Sequence, residues 1–156
     1  MRKNTVVSVI IPSKNEEKNI LRCLRSIKAQ KPNIDAEIIL VDNFSNDKTV
    51  QVAKPYVTKI ITAGPERSTQ RNIGAKAAHG DWLLFLDADM ELSRNAVDEC
   101  LSLTKNRIVA PIITITEQSI GTTFWGKALA LEHNCYKYTF WLQATRFFPK
   151  QYFLKL

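Results

Sequence analysis

Two carboxylates one residue apart, Asp87-Ala88-Asp89, follow the apolar run Trp82-Leu83-Leu84-Phe85-Leu86. Side chains two apart in an extended segment share a face, so Asp87 and Asp89 are expected to project side by side. Like charges so placed repel unless something positive stands between them. A hard divalent cation, Mg²⁺ or Mn²⁺, meets that need and keeps waters and phosphate oxygens in the rest of its shell. It also neutralises charge on a departing diphosphate. The plainer alternative is that one carboxylate caps the next helix, "SRNAVDECLSLT", but Ser93 stands better placed for that task. A D-x-D pattern is common by chance; its place after a buried strand is what gives it meaning.

Two further polar clusters follow apolar runs. Pro12-Ser13-Lys14-Asn15 succeeds "VVSVII", and Asp42-Asn43 succeeds "EIILV". Asp42 has two readings: an acceptor for a nucleobase N–H or ribose hydroxyl, or a turn residue within "DNFSND". Asn15, Glu16 and Glu17 suit the positive end of a following helix, for which Ser13 or Asn15 is an available cap. Arg67 and Arg71 lie four apart on one helix face, from which an arginine reaches phosphate oxygens bidentately. Arg67 by itself reads as a solvated surface position. Gly74, Ala75, Ala77 and Ala78 make that helix slim enough to approach a sheet closely. His79 and His133 lack the spacing of a metal pair, and His79-Gly80 reads as an ordinary helix C-cap. Cys23, Cys100 and Cys135 form no CxxC and read as buried free thiols of a reducing cytosol. No GxGxxG follows the first strand and no GxxxxGK[ST] occurs, which argues against a dinucleotide-binding dehydrogenase and a sugar-phosphate nucleotidyltransferase.

The elements that must position these groups alternate. Strands are predicted over 6–11, 36–42, 58–62, the run before Asp87, and 107–116; helices over 16–30, 45–56, 66–80 and 93–104. This order predicts an α/β fold, a mostly parallel central sheet with helices on both faces. Ligands of such sheets bind at the carboxyl ends of the strands, where all three polar clusters fall, so one site is expected. At 156 residues and 17.8 kDa the chain reads as one domain. No apolar run approaches the roughly 18 to 20 residues of a membrane helix, and "MRKNTVVSVIIPSKNEE" lacks a small-residue cleavage site, so a cytoplasmic location is expected. A net charge of +7 and a pI near 9.4 favour anionic partners: nucleotides, phosphates, nucleic acid or an anionic membrane surface. Ten of the fourteen aromatic residues lie beyond position 120: Phe124, Trp125, Tyr136, Tyr138, Phe140, Trp141, Phe147, Phe148, Tyr152 and Phe153. They read as an extension packed on the sheet. Stacking on nucleic acid is disfavoured, because Ile120, Ala128, Leu129, Leu131 and Leu142 share the segment and read as core or lipid-facing surface.

In order, "VSVIIPSKNEEKNILRCLRSI", "EIILVDNFSNDKT" and "RSTQRNIGAKAAHGDWLLFLDADM" resemble family 2 glycosyltransferases of the GT-A fold, over roughly residues 6 to 93. "IGTTFWGKALALEHNCY" and "LQATRFFPKQYF" look like acceptor-side segments of small bacterial and archaeal members. The resemblance implies a single Rossmann-like nucleotide-sugar-binding domain over 1–156, with a donor-binding core at 1–116 and a partial acceptor-side segment at 117–156. It implies that Pro12, Ser13, Lys14, Asn15 and Glu16 line the nucleotide pocket and that Asp42 contacts base or ribose. Arg71 would lie near the donor, and Asp87, Ala88 and Asp89 would hold its diphosphate, with Asp87 and Asp89 ligating Mn²⁺ or Mg²⁺. The implied chemistry is inverting transfer of a sugar from a UDP- or GDP-sugar to a saccharide or lipid-linked acceptor. A lipid-linked acceptor would suit peripheral contact with the inner membrane face.

Three departures qualify the resemblance. Lys14 stands where an aromatic residue is usual, and "DNFS" where "DDGS" is commoner, which leaves Phe44 as the replacement stacking surface. The general base that inversion requires is an acid in a motif after a "GGFD"-like turn, which would follow "RFFPKQYFLKL". None of Glu91, Asp98, Glu99, Glu117 and Glu132 matches that position. A second reading is therefore a non-catalytic module that binds nucleotide-sugar.

Overall fold

A computed structural model describes residues 7–105, 113–114, 118–120, 123–135 and 145–155. The chain order is β1 (Val7–Ser13), α1 (Ile20–Lys28), β2 (Glu37–Asp42), α2 (Thr49–Ala53), β3 (Lys59–Thr62), α3 (Arg67–Ala77), β4 (Trp82–Phe85), α4 (Ala96–Lys105), β5 (Ile113–Thr114), α5 (Phe124–Cys135), β6 (Thr145–Pro149) and α6 (Lys150–Phe153). The strands form one sheet in the order β3-β2-β1-β4-β6-β5. β1 to β4 pair in parallel, and β6 enters antiparallel between β4 and β5. The predicted mostly parallel α/β architecture is the one observed.

Both faces of the sheet are covered, which explains why β1 and β2 are buried along their whole length. Alternation along β1 sends Val7, Val9 and Ile11 to one face and Ile10 to the other. On the first face α1 lays down Ile20, Cys23, Leu24 and Ile27, the spacing of one helical stripe. On the second, Ile10, Ile39, Val41, Leu83 and Phe85 meet Ala75 and Ala78 at α3. The slim helix is needed there: a Cβ on Gly74 would lie 2.4 Å from Ile10 Cγ2. β6 joins both cores, Phe147 stacking on Trp82 with ring centroids 5.1 Å apart, while Phe148 and Phe153 pack on Phe85.

Several boundaries differ from expectation. α1 starts at Ile20 and not near residue 16; Asn19 precedes it without a side-chain cap, because Ser13 is the last residue of β1 and Asn15 has a left-handed φ of 55°. α2 starts at Thr49, its expected first turn being used in loop contacts. α4 starts at Ala96, where Ser93 offers its carbonyl, to Ala96 N and to Gln30 Nε2. Of the strand expected over 107–116, Ile113–Thr114 is described; the rest lies outside the described residues, as do Glu117, Tyr136, Tyr138, Phe140, Trp141 and Leu142. Cys23 and Cys100 are buried, but Cys135 is exposed. Burial, reinforced by nearby carboxylates, pushes the Cys23 thiol up to about 12 and Cys100 to about 11.

The end of α3 is not a left-handed glycine cap. Ala78 leaves the helix in extended conformation, and no glycine among the described residues has positive φ. His79 and Gly80 instead dock on the amino ends of β1 and β2. The Glu37 carboxylate accepts the Ser8 hydroxyl at 2.5 Å and the His79 amide at 2.7 Å, and lies 2.7 Å from His79 Nδ1. Gly80 N donates to Ser8 Oγ at 2.9 Å. Burial pushes the Glu37 carboxyl up, but the bonds from His79 and Ser8 outweigh it and hold the carboxyl below its ordinary range.

A Cβ on Gly80 would sit 2.8 Å from Ser8 N and 3.0 Å from Val7 C, both backbone atoms of a buried strand. Gly80→Ala is therefore expected to destabilise the fold by about 2 kcal/mol in urea titration. An unchanged or higher midpoint, as alanine gives at an unhindered glycine, would contradict this close approach.

Candidate functional site

The carboxyl ends of β1, β2 and β4 share one edge of the sheet and border a cavity of about 300 Å³. Pro12, Ser13, Lys14 and Glu16 reach it from the end of β1 and its loop, and Asn43 from the end of β2. Pro65, Arg67 and Gln70 come from the start of α3 and the segment before it; Asp87, Ala88 and Asp89 come from the chain after β4. Of the residues singled out from sequence, Pro12, Ser13, Lys14, Glu16, Asp87, Ala88 and Asp89 line this space. Asn15, Asp42 and Arg71 do not; they hold what does.

Asp42 is 2% exposed. Its Oδ1 accepts the Ser13 hydroxyl at 2.9 Å and the Ser45 hydroxyl at 2.6 Å, and its Oδ2 accepts Ser45 N at 2.8 Å. These are the contacts of the turn reading. Asn15 bridges the same loops: its N–H donates to Ser45 Oγ at 2.8 Å and its Oδ1 accepts Asn46 N at 2.8 Å. Glu17 and Asp47 extend the clasp reciprocally, Glu17 N donating to Asp47 Oδ2 at 3.1 Å and Lys48 N to Glu17 Oε2 at 3.0 Å. Phe44 sits in this turn with φ 50° and is 66% exposed, adjoining the cavity-lining Asn43. Left-handed backbone is costly for an aromatic residue and natural for glycine at that position.

Asp87 and Asp89 both line the cavity, but not from an extended strand. β4 ends at Phe85, and Met90 N donates to Asp87 O at 3.0 Å, closing a turn over residues 87–90. Within this turn Asp87 is buried and Asp89 exposed. The positive partner of Asp87 is also different. Arg71 Nη2 lies 2.8 Å from Oδ1, and Arg146 Nη2, on β6, lies 3.2 Å from Oδ2. Burial alone would raise the Asp87 carboxyl. The charge of Arg146, then the hydrogen bond and charge of Arg71, outweigh it and hold the carboxyl below its ordinary range.

Arg146 was missed from sequence. Its side chain is 6% exposed. The available signal was a guanidinium inside the apolar strand "TRFFP", where burial requires an anionic partner. Which anion it would be needed the antiparallel register of β6 on β4.

The arrangement discriminates between the two carboxylates as metal ligands. Each oxygen of Asp87 already faces a guanidinium, so a divalent cation there would meet two like charges at close range. Asp89 is exposed, lines the cavity, and fits a cation that takes one carboxylate, waters and phosphate oxygens. Among the described residues no group of three His, Cys, Asp or Glu side chains gathers around one point. Of the two expected ligands, Asp89 is thus the carboxylate left open to a cation, and Asp87 the one already paired with guanidinium groups.

A doubly covered, mostly parallel sheet with a charged cavity at its carboxyl edge defines the class: an α/β domain whose binding cavity lies where such sheets hold their ligands. Residues 8–154 match the sequence model of glycosyl transferase family 2, and the chain belongs to that family. It is 39% identical over 94 residues to an uncharacterised glycosyltransferase of Rickettsia typhi, covering 60% of this chain and 31% of the relative. It is 31% identical over 100 residues to the poly(ribitol-phosphate) beta-N-acetylglucosaminyltransferase TarS of Staphylococcus aureus, covering 59% of this chain and 18% of TarS. The crystal structure of S. aureus TarS 1-349 in complex with UDP-GlcNAc matches with a TM-score of 0.63 at 25% identity, covering 76% of this chain and 36% of that one. The chain thus spans less than a third of these two relatives.

Asp87→Asn leaves two buried or half-buried guanidinium groups without their anion, a loss of about 3 kcal/mol in urea titration at neutral pH. The sign with pH follows from the lowered carboxyl. Its stabilisation is fully present above the ordinary carboxylate range, near pH 4, and fades as pH falls through the lower native value. The variant is expected to lose that acid-side slope. An unchanged slope would mean that Asp87 is not the group being titrated.

Proposed function

We propose that the cavity binds a nucleotide-diphosphate-sugar, UDP- or GDP-linked, and that the protein transfers the sugar to an acceptor by inverting displacement with help from Mg²⁺ or Mn²⁺. The observation that carries this reading is one cavity where Asp89 stands with the cations Lys14 and Arg67 at the carboxyl edge of a family 2 fold. TarS, crystallised with UDP-GlcNAc, supports the donor class. Lys14 and Arg67, both exposed, are suited to phosphate oxygens. Asp89 would hold the metal, which when bound neutralises charge on the departing diphosphate. Pro12, Ser13, Glu16 and Ala88 shape the pocket. Asp42 and Asn15 fix its loops, and Arg71, through Asp87, fixes the turn that carries Asp89.

The acceptor is proposed to be a saccharide or a lipid-linked saccharide. Ile120, Phe124, Trp125, Leu129 and Leu131 are exposed on and before α5, a surface suited to peripheral contact with a membrane. No helix among the described residues is long and apolar enough to cross one. The proposed location is cytoplasmic, at the inner membrane face. A second reading, donor binding without turnover, is favoured by the carboxylates of the cavity. Asp87 is engaged by two guanidinium groups, Glu16 Oε2 accepts the Asn19 amide at 2.9 Å, and Asp89 is assigned to the metal.

Calorimetric titration of UDP and GDP, each with and without Mn²⁺, tests the donor site. At least one nucleotide is expected to bind more tightly with metal, and Asp89→Asn to weaken that increment by about tenfold or more. Failure of both nucleotides to bind under either condition would remove the proposal.

A further inference from the structure

Gln70 is 2% exposed, yet it lines the cavity. Its Nε2 donates to Ser13 O at 3.1 Å and to Val41 O at 2.6 Å. Both amide hydrogens are thereby committed to carbonyls at the ends of β1 and β2. This settles which way the amide faces, since the carbonyl edge has no proton to donate. The opposite atom, Oε1, accepts nothing from the described residues. It is not sealed in the protein either: among the described residues the fully enclosed side-chain atom lacking a partner is Arg71 Nε. Oε1 is therefore a rigidly held acceptor open to the cavity, at a depth where an unmet acceptor is costly.

Its place says which part of a ligand it meets. Gln70 covers the ends of β1 and β2, beside Asn43 and Pro65, while Asp87 and Asp89 follow β4 on the far side of β1. Neighbouring strands lie about 4.8 Å apart, so the span from Gln70 to Asp89 suits a nucleoside joined to its diphosphate. Asn43, beside it, is held differently: its Nδ2 donates to Pro65 O at 2.8 Å, and its Oδ1 packs against Gly64, where a Cβ would be only 2.2 Å away.

The geometry points to Gln70 Oε1 as the acceptor for a ring imide N–H of the donor base, making Gln70 a residue that selects the nucleotide. Uracil presents such a donor at N3 and guanine at N1; cytosine and adenine present a lone pair there, which would face Oε1 repulsively. The inference rests on the nucleotide-sugar reading of the cavity and adds to it a residue and a rule of base choice.

The test is calorimetry with UDP, GDP, CDP, ADP, N3-methyl-UDP and 2′-deoxy-UDP on the wild-type chain and on Gln70→Met. The better of UDP and GDP is expected to bind wild type about tenfold to a hundredfold more tightly than CDP and ADP. If UDP is the better, N3-methyl-UDP should show the same loss, and in Gln70→Met these differences should shrink to about twofold. Equal binding of CDP and UDP by wild type, or a base preference that persists in the variant, would overturn the assignment. A Gln70-dependent loss with 2′-deoxy-UDP alone would overturn it in favour of a ribose hydroxyl. If the variant does not fold, the imino proton of bound ¹⁵N-labelled UDP or GDP decides: protection from exchange supports the hydrogen bond, and exchange at the free rate overturns it. If no nucleoside diphosphate binds, the donor-site reading fails first, whereas binding without base preference defeats the Gln70 assignment alone.

Discussion

A carboxylate removed from water is tolerable only if opposite charge and hydrogen bonds replace the lost hydration. Asp87 meets that condition with Arg71 from α3 on one oxygen and Arg146 from β6 on the other. Three parts of the fold therefore converge on one anion: the helix that packs on the sheet, the chain leaving the central strand β4, and the strand that extends the sheet antiparallel. The Cys23 thiol approaches the Asp87 carbonyl oxygen at 3.7 Å and adds α1 to the same junction. With Asp87 so held, the turn to Met90 is fixed, and Asp89 is presented to the cavity by a support that does not itself need a metal.

The other strand ends follow the same division of labour. Asp42, buried, ties Ser13 to Ser45, while Asn15 and Glu17 knit the loops after β1 and β2. Gln70 closes over both strand ends from α3. Buried polar groups act as fasteners, and Lys14, Arg67 and Asp89 stay exposed along the cavity. At the opposite edge, Glu37 joins Ser8 and His79, so that α3 is secured at both ends against the sheet. Such satisfied polar networks favour one rigid arrangement, which is what a positioned binding site requires.

How much of this was legible from sequence depended on range. The stripe Ile20, Cys23, Leu24, Ile27 and the runs of β1 and β2 are local patterns, and they marked a doubly covered sheet and its carboxyl edge correctly. The slim face around Gly74 was legible too, because small residues at helical spacing have few other uses. What sequence did not show was where strand geometry ends: Leu86 continues the apolar run and is buried, but β4 stops at Phe85, and beyond it Asp87 is buried while Asp89 is exposed. Arg146 and the Glu37–His79 contact were hidden because their partners lie 59 and 42 residues away, and pairing at that distance depends on register. Gln70 looked like one more polar residue on a helix; only the carbonyls it covers reveal which edge of its amide is open.

The central claim is that a metal-bound nucleotide sits between the ends of β1 and β2 and the Asp87–Met90 turn. Paramagnetic broadening of backbone amide signals by Mn²⁺ in the presence of UDP or GDP, whichever binds, tests it most directly. The account predicts that broadening begins at Asp89 and its neighbours, spreads to Ser13, Lys14 and Arg67, and needs the nucleotide. Broadening centred elsewhere, around Glu37 and His79 or along the outer face of α1, would contradict it.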